Sequence, residues 1–202
     1  MKSKLIFLLF LGLLVQTVNA QRFGIKGGLN LASMSFSSSG LDISPKSILG
    51  IHVGPVVEIE LQESLFFNSG LLYSLKGYKI KMDFMGESIE STSKVNYLEI
   101  PLNIAYKFST GELTNFFVQA GPYLGYALSG KEKSDGETTD IEFGDGGMKR
   151  IDFGIGVGLG IGLGPVVPSI SYQLGLANLS DDSDVTVKNK VLQFSVAYMF
   201  GK

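Results

Sequence analysis

The chain has 202 residues with 17 basic and 19 acidic side chains, a formal net charge of −2, and no cysteine. Without cysteine there is no disulfide scaffold, thiolate metal site, cysteine nucleophile or lipidated N-terminal cysteine, and no basic patch argues for a nucleic-acid partner. A single histidine, His52, excludes a zinc site with two or more histidines within one chain.

Residues 1–20 read as a cleaved signal peptide: Lys2 and Lys4, an apolar run from Leu5 to Val15, then the small-residue site Val18-Asn19-Ala20. The run is far shorter than the roughly 20 residues of a spanning helix. Cleavage before Gln21 leaves residues 21–202 as one domain, with 15 basic against 19 acidic groups and no linker or low-complexity tract. Later apolar stretches are too short or too mixed for a membrane helix, so residence in a bilayer requires a closed barrel.

Eight segments of alternating hydrophobicity follow, at about 22–33, 48–61, 65–79, 95–108, 115–129, 150–163, 166–178 and 190–200. Each accommodates the 9–11 tilted residues of a membrane strand. Connections alternate long and short, which predicts longer extracellular loops, short periplasmic turns and an eight-stranded antiparallel up-and-down transmembrane β-barrel. A soluble barrel holding a lipid is the rival. The bulky parity is too large to fit inside eight strands, from Phe23, Ile25, Leu29 and Leu31 in the first to Ile151, Phe153, Ile155 and Val157 in the sixth, so it must face outward.

The opposite parity supplies an expected lumen network of Lys26, His52, Glu58, Glu60, Lys76, Glu99, Lys107, Arg150 and Asp152. Glycines at alternate positions from 154 to 162 make room there for bulk from other strands, with Phe66, Tyr97, Phe117 and Tyr123 as inward aromatics. Phe23, Phe67, Tyr106, Phe108, Phe116, Tyr198 and Phe200 fall on the outward parity near the periplasmic strand ends, as an aromatic girdle would.

Tyr97-Leu98-Glu99-Ile100-Pro101-Leu102-Asn103 and Gly121-Pro122-Tyr123-Leu124-Gly125 resemble the PorT-like outer-membrane β-barrel proteins of Bacteroidota. Residues 23–30 and 175–179 are similar to the first and seventh strands of that family. The resemblance spans the mature chain and implies an outer-membrane barrel with no catalytic residues to carry over. One departure is the ending Phe200-Gly201-Lys202, where a terminal aromatic is the rule.

Gly125 to Lys131 imitates a phosphate-binding loop, but Glu132 stands where Ser or Thr should hold magnesium, and no helix follows. His52 shares its parity with Glu58 and Glu60, which favours a hydrogen-bonded lumen histidine over a catalytic base. Acidic groups crowd the third long loop, at 132, 135, 137, 140, 142 and 145, and the fourth, at 181, 182 and 184, without the ordered spacing of a calcium loop. These features predict a monomer without catalysis, cofactor or metal, its four surface loops serving a structural, adhesive or accessory role. Its expected partners are outer-membrane lipid and lipopolysaccharide, the barrel-assembly machinery during insertion, and one extracellular or periplasmic protein. A narrow-lumen transport or protein-secretion component is the alternative, and a lipid-modifying enzyme, lacking a visible nucleophile–base pair, ranks third.

Overall fold

The computed structural model describes residues 21–38, 41–43, 45–84, 87–109, 114–134, 136–144, 146–182 and 184–201; the expected signal peptide and its cleavage site lie outside them. The strands are β1 (Gln21–Ser38), β2 (Leu41–Ile43), β3 (Lys46–Gln62), β4 (Leu65–Gly70), β5 (Leu72–Phe84), β6 (Glu87–Ser109), β7 (Thr114–Ser134), β8 (Glu137–Asp140), β9 (Ile151–Leu163), β10 (Val166–Gly175) and β11 (Val185–Phe200). Among the described residues no helix is long and apolar enough to cross a membrane.

All the named strands pair antiparallel. β1 bonds to both β3 and β11, and the path continues β11, β10, β9, β7, β6 and back to β3 through β4 and β5. β4 and β5 form one stave interrupted at Leu71, whose N–H donates to Pro55 O at 3.0 Å. The described strands therefore close into a ring of eight staves, with β2 and β8 as short additions. Closure leaves no unpaired edge for lipid to face.

Tight turns gather at one end. β9 and β10 join through Gly164-Pro165, where Gly164 has φ of 62°, and β3 and β4 join through Glu63-Ser64, where Ser64 has φ of 72°. At the other end β6 and β7, with 23 and 21 residues, run far beyond the 9–11 that a tilted membrane strand needs. The sequence pattern predicted loops over about 80–94 and 130–149; instead β5 and β6 stay paired to Phe84 and Glu87, and β8 adds to β7. Hydrophobic alternation reports what touches lipid, whereas the hydrogen-bond ladder continues past the lipid without it.

Apolar side chains cover the outside of the ring: Leu49, Val157 and Phe23 are 62%, 56% and 56% exposed. Asn30, His52, Lys76, Glu99 and Asp152 are buried inside. A soluble lipid-carrying barrel has the reverse polarity, and so continuous an apolar belt belongs in hydrocarbon.

The girdle residues stand on the outer face at the tight-turn end. Phe23 is in register with Phe200, Ile25 with Tyr198, and Phe108 with Phe116. Tyr106 meets Phe108 edge to face at 4.9 Å, and Tyr198 meets Phe200 at 5.4 Å. Phe67 differs in degree: it lies between outward Ile59 and Ile104 and is half-buried by them.

Candidate functional site: a filled lumen and a capped mouth

Polar residues at alternate positions on several staves converge inside the ring in three layers. The central layer is built on Lys76, whose Nζ lies 2.6 Å from Glu99 Oε2 and 3.2 Å from Asp152 Oδ2, all three side chains being inaccessible to solvent. Tyr123 OH and Asn189 Nδ2 donate to Asp152 Oδ2 at 3.3 and 2.9 Å, and Gln173 Nε2 donates to Glu99 Oε1 at 2.6 Å. The Lys76 ammonium also sits 4.4 Å from the Tyr123 ring centroid and 5.3 Å from that of Tyr97. Buried charges persist only when they are paired, as these three are, although Gln173 Oε1 and Asn189 Oδ1 in the same layer have no hydrogen-bond partner among the described residues.

The second layer holds His52. Its Nδ1 lies 2.8 Å from Asn30 Oδ1, a pure acceptor, so Nδ1 carries the proton; Nε2 then accepts from Ser195 Oγ at 2.9 Å. Asn30 in turn donates to Ser74 Oγ at 3.0 Å and accepts from Gln193 at 3.2 Å. Every polar atom of the imidazole is thus engaged.

At the periplasmic end Glu58 Oε1 lies 2.7 Å from Lys107 Nζ and 3.4 Å from Arg22 Nη1, with Lys107 over the Phe66 ring at 3.8 Å. Lys26 lines the same small cavity as Glu99 without a direct bond to it. Cavities of about 70 Å³ at this mouth and about 20 Å³ above it are room for a few water molecules, and one of about 190 Å³ lies under the extracellular cap between Met34, Tyr78, Glu132 and Met148.

The glycine-bearing staves fit against aromatic rings. A Cβ at Gly154 would stand 2.7 Å from Tyr123 Cε1, one at Gly28 would stand 2.8 Å from His52 Cε1, and Gly160 faces the Phe117 ring. Absent side chains on β9 therefore admit large ones from β7.

Two residues expected in the lumen network stand apart from it. Glu60 is exposed at the periplasmic rim, because the ring ends at the Glu63-Ser64 turn just beyond it. Arg150 is at the extracellular rim, where Nη1 donates to Ala127 O at 2.8 Å and the guanidinium lies 4.4 Å from the Phe143 ring. Conversely, Asn189 and Arg22 join the network although the sequence pattern missed them. Asn189 precedes the apolar alternation that marked its strand, yet it keeps the inward parity of Val191 and Gln193.

Above the central layer the chain folds back over the mouth. Ile141, Phe143 and Met148 pack on Val95, Tyr97 and Ala127, while Met148 also meets Met34, Ala177 and Leu179. Gly146 N donates to Asp181 Oδ2 at 2.9 Å and Lys149 N to Leu179 O at 2.8 Å, fastening this cap to the opposite wall. Asp182 Oδ1 accepts from Asp184 N at 2.9 Å, a local turn bond. No described group of three or more His, Asp or Glu residues is arranged to hold a metal, and Gly125 to Lys131 runs along β7. Positions 135 and 145 of the acidic loop lie outside the described residues.

Among solved structures, Neisserial surface protein A is similar over 88% of this chain and 97% of its own, with a TM-score of 0.47 and 16% identity. OprG from Pseudomonas aeruginosa is similar over 93% and 100%, with a TM-score of 0.46 and 12% identity. Ail, the attachment invasion locus protein of Yersinia pestis, is similar over 89% and 99%, with a TM-score of 0.39 and 16% identity. No curated protein matches the sequence. The family profile described as outer membrane protein beta-barrel domain matches residues 16–181, and with a closed ring that is apolar outside and polar within, the chain belongs to that family of outer-membrane proteins.

Proposed function

We propose that this protein is a non-conducting barrel that works at the cell surface, holding its extracellular sheet and capped mouth on a rigid frame in a structural, adhesive or accessory role without catalysis. The observation that carries this reading is the Lys76–Glu99–Asp152 cluster spanning the lumen, with voids no larger than about 70 Å³ beneath it. A hydrated solute cannot pass such a layer unless buried ion pairs break, and that costs several kcal/mol. Recognition is then left to the rim and the extended strands, as is usual for loops on a rigid scaffold. In this reading the protein is a monomer, and its partners are the surrounding lipid, the machinery that inserts it and one surface or periplasmic protein. The narrower PorT-like affiliation, carried by residues 97–103 and 121–125, is part of the same proposal.

Planar-bilayer recordings of the refolded protein test it. We expect no stable conductance above the bare membrane. A reproducible ohmic pore would replace this reading with the narrow-lumen transport one.

A further inference from the structure

The outward side of the extended sheet is basic, and a single irregularity brings two of its lysines there. Along β7 the outward residues are Leu124, Tyr126 and Leu128, at even positions. Opposite Asn96 and Tyr97 the register shifts by one residue, so that both Leu128 and Ser129 are exposed. Beyond the bulge the odd positions Lys131 and Lys133 point outward, while Glu132 turns in to accept from Ser91 Oγ at 2.7 Å. Bulges characteristically re-aim side chains in this way.

Neighbouring staves carry the same charge to the same face. Lys131 is in register with Lys94, and Thr92 lies between Lys133 and Lys79, which in turn is in register with Lys46. Two carboxylates share this face: Glu90 is engaged by Lys79, and Asp140 on β8 is in register with Lys131 without an ion pair to it, so that Lys94, Lys131 and Lys133 form no salt bridge among the described residues and lysines outnumber carboxylates. Glu90, Thr92, Lys94, Lys131 and Lys133 line a concavity of about 530 Å³. Its height is informative. Lys131, opposite Lys94, lies three residues beyond outward Leu128, roughly 10 Å along the strand and so roughly 7 Å above the apolar band at a tilt of about 45°. Tyr73, Asn96 and Ser129 form a hydrogen-bonded step between, at 2.6 and 2.9 Å. The headgroup layer, where lipid phosphates lie, extends about 5–8 Å beyond the hydrocarbon on each side.

We propose that this lysine face binds the phosphate groups of the anionic glycolipid in the surrounding outer leaflet, an inference that rests on the surface-facing orientation given above. Lys94 and Lys131 on adjacent staves about 4.8 Å apart, with Lys133 beside them, concentrate positive charge at the level of the leaflet's phosphates. The expected role is to anchor the barrel's height and rotation against that leaflet.

The full chain refolded in detergent is titrated with phosphorylated lipopolysaccharide and with the same material after its phosphates are removed. The phosphorylated form should bind at least tenfold tighter, more weakly as salt rises. Lys94→Glu/Lys131→Glu/Lys133→Glu should lose at least tenfold, while Lys188→Glu/Lys190→Glu on β11 should lose less than threefold. Heat-modifiable migration reports folding, and Lys94→Gln/Lys131→Gln/Lys133→Gln replaces the charge reversal if that variant does not fold. Equal binding of the two lipopolysaccharides, an unaltered triple variant, or an equal loss from the β11 pair would overturn the proposal. So would a preference for a sulfated polysaccharide over phosphorylated lipopolysaccharide. A conducting pore would defeat the surface-role reading while leaving these binding ratios unchanged, so the two failures are distinguishable.

Discussion

Lys76 Nζ lies 2.6 Å from Glu99 Oε2 with neither side chain reached by solvent, and Asp152 completes the cluster from the other side. Removing the cation strands two carboxylates in a dry interior. Lys76→Met should therefore lower stability by about 3–5 kcal/mol. Urea titration of the refolded barrel, read as loss of the compact band on unheated gels, measures it. A loss below about 1 kcal/mol would mean that water already reaches the cluster.

The lipid-facing parity predicts a depth profile along β9. Val157 is 56% exposed and in register with outward Tyr172, near the middle of the strand, whereas Leu163 borders the Gly164-Pro165 turn. Val157→Arg should cost about 2–4 kcal/mol and Leu163→Arg about 0–1 kcal/mol, because the penalty falls toward the interface. Equal costs at the two positions would show that β9 does not cross hydrocarbon as described.

Much of the barrel is legible in the sequence. A period of two with one greasy face marks a lipid-exposed strand, so the eight staves and their outward residues, such as Ile151 and Phe153, were legible in the sequence. The apolar signal stops where lipid stops, so the upper halves of β6 and β7 were not. Nor was the bulge at Leu128-Ser129, because pairing geometry leaves no mark on composition; strict alternation would have sent Lys131 into the lumen and Glu132 out. Ion-pair partners were hidden for a similar reason: parity puts Lys76, Glu99 and Asp152 on one face without saying which lumen charges meet across it.

The glycines of β9 look interchangeable in sequence but are not so in space. A Cβ at Gly154 would meet Leu174 O at 2.2 Å and Tyr123 Cε1 at 2.7 Å, whereas at Gly156 the nearest atom, Gln173 Cγ, is 3.7 Å away. Gly154→Ala should cost about 1–3 kcal/mol through the clash with the Leu174 carbonyl of β10 and displacement of the tyrosine that bonds Asp152. Gly156→Ala should be within about 0.5 kcal/mol of the parent or stabilising, since alanine fits there and glycine is a weak strand former. The pair is compared by the same urea titration; matching losses would mean that β9 is not packed tightly at Gly154.

Arg150 closes the extracellular mouth by a contact that can be tested without unfolding the barrel. Its guanidinium donates to Ala127 O on β7 and stacks 4.4 Å from the Phe143 ring, so it links the cap at 141–148 to the wall. A charged hydrogen bond contributes about 1.5–3 kcal/mol and an exposed cation–π contact about 0.5–1 kcal/mol. Arg150→Ala should therefore release the cap and speed chymotrypsin cleavage after Phe143 several-fold, with heat-modifiable migration unchanged because the strand ladder is untouched. Arg150→Lys should fall between, since an ammonium keeps the charge but loses the planar fork. Cleavage of the alanine variant at the parental rate would shift the fastening to the Gly146–Asp181 bond and the Met148 packing on the opposite wall.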